Sequence, residues 1–196
     1  LLENGEQVDD TGTYAPKQLQ GAIVFQNVWF AYEGQDYVLK DISFKIEAQK
    51  SLAIVGATGA GKSTLINLLE RSYDVQKGVI HIDGVNIKDY KLQTLRENVG
   101  IVLQDVFLFS GSIYENITLG NPDIGRERVM EAAQLMGMHD FILQLPGGYG
   151  YHVMERGMTL SMGQRQLLAF ARVLVYDPCI LILDEATASM DTENER

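Results

Sequence analysis

The run Gly56-Ala-Thr-Gly-Ala-Gly-Lys-Ser-Thr64 constrains this chain more than any other stretch. It fits G-x-x-x-x-G-K-[S/T], the spacing of a loop that wraps the phosphates of a nucleoside triphosphate. Upstream, Ser51-Leu-Ala-Ile-Val55 is a short apolar run that predicts a buried strand. Downstream, Leu65, Ile66, Leu68 and Leu69 recur at helical spacing. Gly56, Gly59 and Gly61 permit backbone angles closed to other residues and let amide N–H groups face a polyanion. A helix beginning near Lys62 points its positive dipole end at the same place. Lys62 is then expected to reach the β- and γ-phosphates, and the Ser63 hydroxyl to bind Mg²⁺. Thr58, Ala60 and Thr64 complete the expected phosphate cradle. The plainer alternative is a glycine-rich turn that binds nothing, and the two matching flanks weigh against it.

The bulk numbers set bounds. The 196 residues suit one domain, or one domain with an inserted subdomain, and 46% apolar content is ample for a core. No apolar run approaches the roughly 18 residues of a spanning helix. The sequence begins at Leu1 and stops at Arg196 just after a motif, so a fragment is expected. The single cysteine, Cys179, leaves no internal disulfide and suits a reducing compartment. Beside Ile180–Leu183 it reads as a small buried apolar residue. A net charge of −10 argues against non-specific nucleic-acid binding, which rests on clustered Lys and Arg. It does not argue against a nucleotide, because charges beyond about 8 Å are largely screened at physiological salt.

Residues 1–20 are polar and read as a linker, and residues 21–196 as the domain. Ala22–Tyr32 and Val38–Ile46 predict strands around a turn at Glu33–Asp36, an antiparallel layer ahead of a parallel core. Val79–Ile82 and Gly100–Leu103 predict further strands, and Leu92–Asn98 a short helix. From about 105 to 175 the pattern is helical, with elements near Arg126–Met136 and His139–Leu145. A long helix opens at Ser161 with Leu167, Phe170, Ala171 and Leu174 on one face, and Asp177-Pro178 closes it. Ile180–Leu183 predicts a last buried strand. The fold class expected is α/β: a P-loop NTPase core with a mostly parallel sheet, an N-terminal antiparallel β layer and an inserted helical subdomain.

Three apolar runs thus end in Gly56, Gln104 and Asp184, and in open parallel sheets ligands sit outside the carboxyl ends of strands. Asp184 after four apolar residues suits a Mg²⁺-holding acid; the alternative is an acid that merely ends a strand. Glu185 is a candidate general base for an attacking water, against a solvated loop glutamate. Gln104 could ligand the metal through its amide oxygen and sense the phosphate. Ser161 and Gln164 fit a capping box, S-x-x-Q, which needs no ligand. Yet the same helix start, with Gly163 exposing backbone, is also a second anion site.

With these motifs in place, the chain resembles the nucleotide-binding domain of ABC transporters over essentially its whole length. The glycine loop matches the Walker A motif, and Ile180–Glu185 matches Walker B with its catalytic glutamate. Gln104 matches the Q-loop, Leu160-Ser-Met-Gly-Gln164 the signature LSGGQ, and Ala188-Ser-Met-Asp191 the D-loop. Tyr32 matches the A-loop aromatic that stacks on adenine. Phe109–Ile117 and Tyr151–Gly157, with Glu155, look like segments of exporters. The resemblance implies ATP and Mg²⁺ as ligands, with Ser63, Gln104 and Asp184 on the metal. It also implies a second such domain packed head to tail, so that Ser161, Gly163, Gln164 and Asp191 serve the partner's ATP. A transmembrane domain would precede Leu1, placing the chain on the cytoplasmic face of the membrane.

Two departures stand out. Met162 and Met154 each replace a family glycine, in the signature and in the Tyr151–Gly157 segment. Such departures suit a heteromeric exporter with one strong and one weak ATP site, with a homodimer as the alternative. The family's switch histidine should lie beyond Asp191, since His81, His139 and His152 all come too early. A soluble ABC ATPase would be expected to carry a long coiled-coil insertion or tandem domains, and Glu185 argues against a non-hydrolysing regulatory module. No Asn-Lys-x-Asp motif suggests guanine.

Overall fold

The computed structural model describes residues 8–104, 106–154 and 159–184. The chain divides into two compact units, Leu1–Val99 and Gly100–Arg196.

In the first unit, β1 (Ile23–Phe30), β2 (Leu39–Ile46), β3 (Lys77–Ile82) and β4 (Val85–Asn86) form an antiparallel sheet in the order β2-β1-β3-β4. The expected antiparallel layer is therefore present, and it also takes in the strand near residue 80. Along β1 the buried side chains are Ile23 and Phe25, then Val28 and Phe30. That change of parity occurs at a bulge, where Asn27 has φ 48° and its side-chain amide donates to Asp41 at 2.8 Å. Gly78 lies against this bulge: a Cβ there would stand 2.1 Å from the Asn27 carbonyl oxygen, and its φ is +78°.

Helix α1 (Lys62–Leu69) buries Thr64, Leu65, Leu68 and Leu69. Residues 51–55 are not a strand within this unit. A strand needs a neighbour to complete its ladder, and this run pairs with none of the four strands, its Val55 being 93% exposed.

The stretch read as a linker is tied down from Asp9 to Tyr14. Arg71, 1% exposed just past α1, donates through Nη2 to the Asp9 carbonyl and through Nη1 to the Lys88 and Tyr90 carbonyls. Its Nε meets Asp74 at 3.3 Å. A buried guanidinium is costly unless its donors are satisfied, and these partners satisfy it. Tyr14 then bridges to Tyr90, and Asp10 accepts from Leu92 N, capping α2 (Leu92–Asn98) from outside the helix.

In the second unit, β5 (Val99–Val102) pairs with β8 (Ile180–Leu183). A second pair joins β6 (Gly111–Ser112) to β7 (His152–Val153). The helices are α3 (Ile113–Thr118), α4 (Arg126–Leu135), α5 (His139–Gln144) and α6 (Met162–Leu174). Helix α6 is covered on two sides, which corrects the single face expected. Leu168, Ala171 and Val175 join the helical core with Ile113, Ile117 and Val129, while Ala169 and Val173 pack on Val102. Of the four residues expected on one face, Ala171 is fully buried, while Leu167 and Leu174 pack partly buried on the helical core and Phe170 on the Val102 cluster. Cys179 is exposed rather than buried, and Leu181 and Leu183 are each 48% exposed within the unit, because α6 packs on the Val102 side of this two-stranded sheet.

Replacing Gly78 by Ala should cost about 1–3 kcal/mol, since backbone blocks the new methyl and the φ is left-handed. Gly150→Ala, where no atom lies within 4 Å of the new Cβ, should stay within about 0.5 kcal/mol. Chemical denaturation of both variants measures the contrast.

Candidate functional site

The phosphate loop takes the conformation its glycines allow. Gly59 and Gly61 have φ of 81° and 88°. Gly61 is the N-cap of α1 and offers no side chain, so the first amides of the helix are left without a side-chain partner. Lys62 curls over the loop, its Nζ donating to the Gly56 and Ala57 carbonyls at 2.7 and 3.2 Å. The ammonium is thus parked at the loop by neutral acceptors that a phosphate oxygen would outcompete. No atom of the described residues lies within 4 Å of a Cβ built on Gly59, and Ser63 is exposed beside it. These are the donors a triphosphate and its metal require.

Thr64 is turned inward, 4% exposed, with Oγ1 3.1 Å from the Tyr32 hydroxyl. What Thr64 offers a phosphate is therefore its backbone. Tyr32 is 46% exposed and lies edge-on to Phe30 and Tyr73 at centroid distances of 4.9 and 5.1 Å. Asn67, three residues along α1 from Thr64, also donates to the Tyr32 hydroxyl at 3.2 Å.

In the second unit, Asp184 N donates to the Val102 carbonyl at 3.0 Å. The ends of β5 and β8 therefore lie side by side, and Gln104, exposed, follows two residues after Val102. The segment beyond Gln104 is fastened to α6 by Arg172, whose Nη1 donates to the Phe107 carbonyl and whose Nε donates to the Asn116 carbonyl. Burial holds the Arg172 guanidinium below its usual range. The buried Asn116 side chain brackets Phe109 by bonding both its N–H and its carbonyl. Neither Arg172 nor Asn116 was expected from the sequence, since an isolated polar residue in a helix carries no pattern.

The signature helix begins with the predicted reciprocal cap. Ser161 Oγ accepts from Gln164 N at 3.2 Å, and Gln164 Oε1 accepts from Ser161 N at 2.9 Å. Met162 is 55% exposed at the first helical position. Among the described residues, a Cβ on Gly163 would meet only Ser161 Oγ, at 3.9 Å, so none of their packing calls for glycine there. Glu185, Asp191 and the Glu155–Gly157 part of the exporter-like segment lie outside the described residues.

The helix starts differ in charge: α2 has no acid in its own first turn, but Asp10 from outside the helix accepts from Leu92 N. Helices α3, α4 and α5 each place an acid in the first turn, Glu115, Glu127 and Asp140, which answers the positive dipole end. Helices α1 and α6 place none. At α1 the first amides also lack a side-chain cap, whereas at α6 the neutral Ser161–Gln164 pair supplies one.

Comparison with known proteins gives a family and a fold. The family model described as ABC transporter matches residues 39–188. An uncharacterised ABC transporter ATP-binding protein of Bacillus subtilis (strain 168) is 51% identical over 91% of the chain, which covers 30% of that protein. The ATP-dependent lipid A-core flippase of Haemophilus influenzae (strain 86-028NP) is 47% identical over 97% of the chain, which covers 33% of the flippase. Among solved structures, that of a bacterial Atm1-family ABC exporter with ATP bound superposes with TM-score 0.89 at 42% identity, covering 95% of this chain and 33% of the exporter. The chain therefore spans about a third of the length of these relatives and shares a mixed α/β, P-loop NTPase fold with the solved exporter.

Ser161 tests whether the cap is structural in its own right. Ser161→Ala should destabilise the protein by about 0.5–2 kcal/mol, and Ser161→Asp, which keeps a capping oxygen, should recover most of it. Thermal unfolding without nucleotide reads both.

Proposed function

The chain belongs to the ABC transporter family as an ATP-binding domain, and from that premise we propose that it is the ATP-hydrolysing motor of a membrane exporter. The observation that carries this reading is the phosphate loop itself, with left-handed glycines, an uncapped helix start and Lys62 held over the loop. Loop amides and Lys62 bind and orient the triphosphate, and Tyr32 takes the adenine. Mg²⁺ would draw its oxygens from Ser63, Gln104 and Asp184 and would spread the negative charge of the phosphates. Glu185 takes the proton of the attacking water.

A second domain of the same kind would pack head to tail, with Ser161, Gly163, Gln164 and Asp191 of one copy facing ATP on the other. The free space at Gly163 and the acid-free start of α6 support that arrangement. A side chain at 163 would occupy the room through which backbone amides reach a phosphate. Met162 beside it favours a heteromeric pair in which the site completed by this helix is the weaker one. The relatives' membrane-embedded portions, and names such as "ATP-binding/permease protein", support a transmembrane domain in the same protein and a place on the cytoplasmic face. No helix among the described residues is long and apolar enough to cross a membrane.

Two variants in the complete protein test this. Glu185→Gln should lower ATP turnover by about 10²–10⁴, the usual worth of a general base, with ATP binding kept. Ser161→Asp should retain the fold and this domain's own ATP binding yet lose turnover, because the new carboxylate would face the partner's phosphates. Turnover and equilibrium binding are read side by side, and undiminished turnover in Ser161→Asp would remove the head-to-tail arrangement.

A further inference from the structure

Helix α1 does more than hold the phosphate loop; one of its faces grips the aromatic that flanks it. Thr64 and Asn67 are three residues apart and so share a face. Both reach the Tyr32 hydroxyl, at 3.1 and 3.2 Å. The Asn67 amide donates into the phenol oxygen, which is also hydrogen-bonded to the hydroxyl of Thr64. That hydroxyl is buried, at 4% exposure for the residue, so it cannot turn to water instead. The ring is braced on its sides as well, lying at 87° to both Phe30 and Tyr73. Phe30 is buried, which makes it a fixed support. Nearly half of Tyr32 nevertheless remains open to solvent. A ring held at its hydroxyl end and along its edges cannot swing, so the exposed portion is a preset surface.

We infer that Asn67 is a positioning residue for base recognition, fixing the Tyr32 ring on α1 so that base and phosphates are read from one rigid helix. This rests on the reading of Tyr32 as the base-stacking aromatic. The gain is preorganisation: a ring already set in its binding orientation loses less freedom when a base stacks on it. Asn67 itself touches no nucleotide in this scheme. Its removal should therefore weaken only the part of the affinity that comes from the base.

The experiment compares ATP with inorganic tripolyphosphate, which has the phosphates and no base, by titration calorimetry on the full-length protein. Asn67→Ala should weaken ATP by about 3–10-fold, the worth of one lost hydrogen bond, and leave tripolyphosphate unchanged. Tyr32→Phe, which removes the hydroxyl and keeps the ring, should give a similar loss. The double variant should lose little more than either single one. Equal weakening of both ligands by Asn67→Ala would mean that Asn67 merely supports α1, and unchanged ATP affinity would mean that it holds nothing; either overturns the inference. Tyr32→Ala separates the premise from the inference. If it leaves the ratio of the two affinities unchanged, Tyr32 is not the base platform and the reading beneath falls as well. If it lowers the ratio while Asn67→Ala does not, only the positioning role is lost.

Discussion

Everything at the nucleotide end of the first unit depends on the left-handed turn at Gly59 and Gly61. Because Gly61 caps α1 with no side chain, the helix opens with bare amides. Because the turn doubles back, Lys62 meets the Gly56 and Ala57 carbonyls. An ordinary residue at either position would force the backbone out of that region at a cost of about 1–3 kcal/mol. The loop's chemistry is thus set before any ligand arrives: the first turn of α1 carries no acid, and Lys62 is held by two neutral carbonyls. The same electrostatic logic recurs at α6, where the cap is a neutral Ser–Gln pair rather than an acid.

Features governed by local rules were legible in the sequence. The glycine loop, the Ser161–Gln164 cap, helices near residues 126 and 139 and the antiparallel strands each follow from spacings of a few residues. Helix α3 carries the same kind of signal, Ser112 three residues before Glu115, and its reciprocal cap is complete. Hydrogen bonds from Ser112 hold the Glu115 carboxyl below the usual carboxylate range. Its contribution to the cap is therefore full above that range and is lost as the pH falls through the lowered value.

What escaped the sequence was decided at long range. Periodicity gave α6 one apolar face, whereas two separate clusters cover it, one through Leu168 and Ala171 and the other through Ala169 and Val173. The run Ser51–Val55 is as apolar as any strand, but pairing is a property of neighbours and no single segment contains it. Asn67 and Arg172 look like routine helix polar residues. Their partners, Tyr32 and Phe107, are 35 and 65 positions away.

The anchoring of the N-terminal stretch has a mechanical meaning. Arg96 holds the carbonyls of Glu70 and Arg71 at the end of α1, while the Arg71 side chain holds Asp9. The strap and the helix are thereby coupled in series through one guanidinium, with only the 8 residues of α1, about 12 Å, between that rivet and the glycine turn. A pull on the N-terminal stretch would therefore reach the C-terminal end of the phosphate helix through the Arg71 guanidinium, shared with the attachments of Asp10 to Leu92 and of Tyr14 to Tyr90.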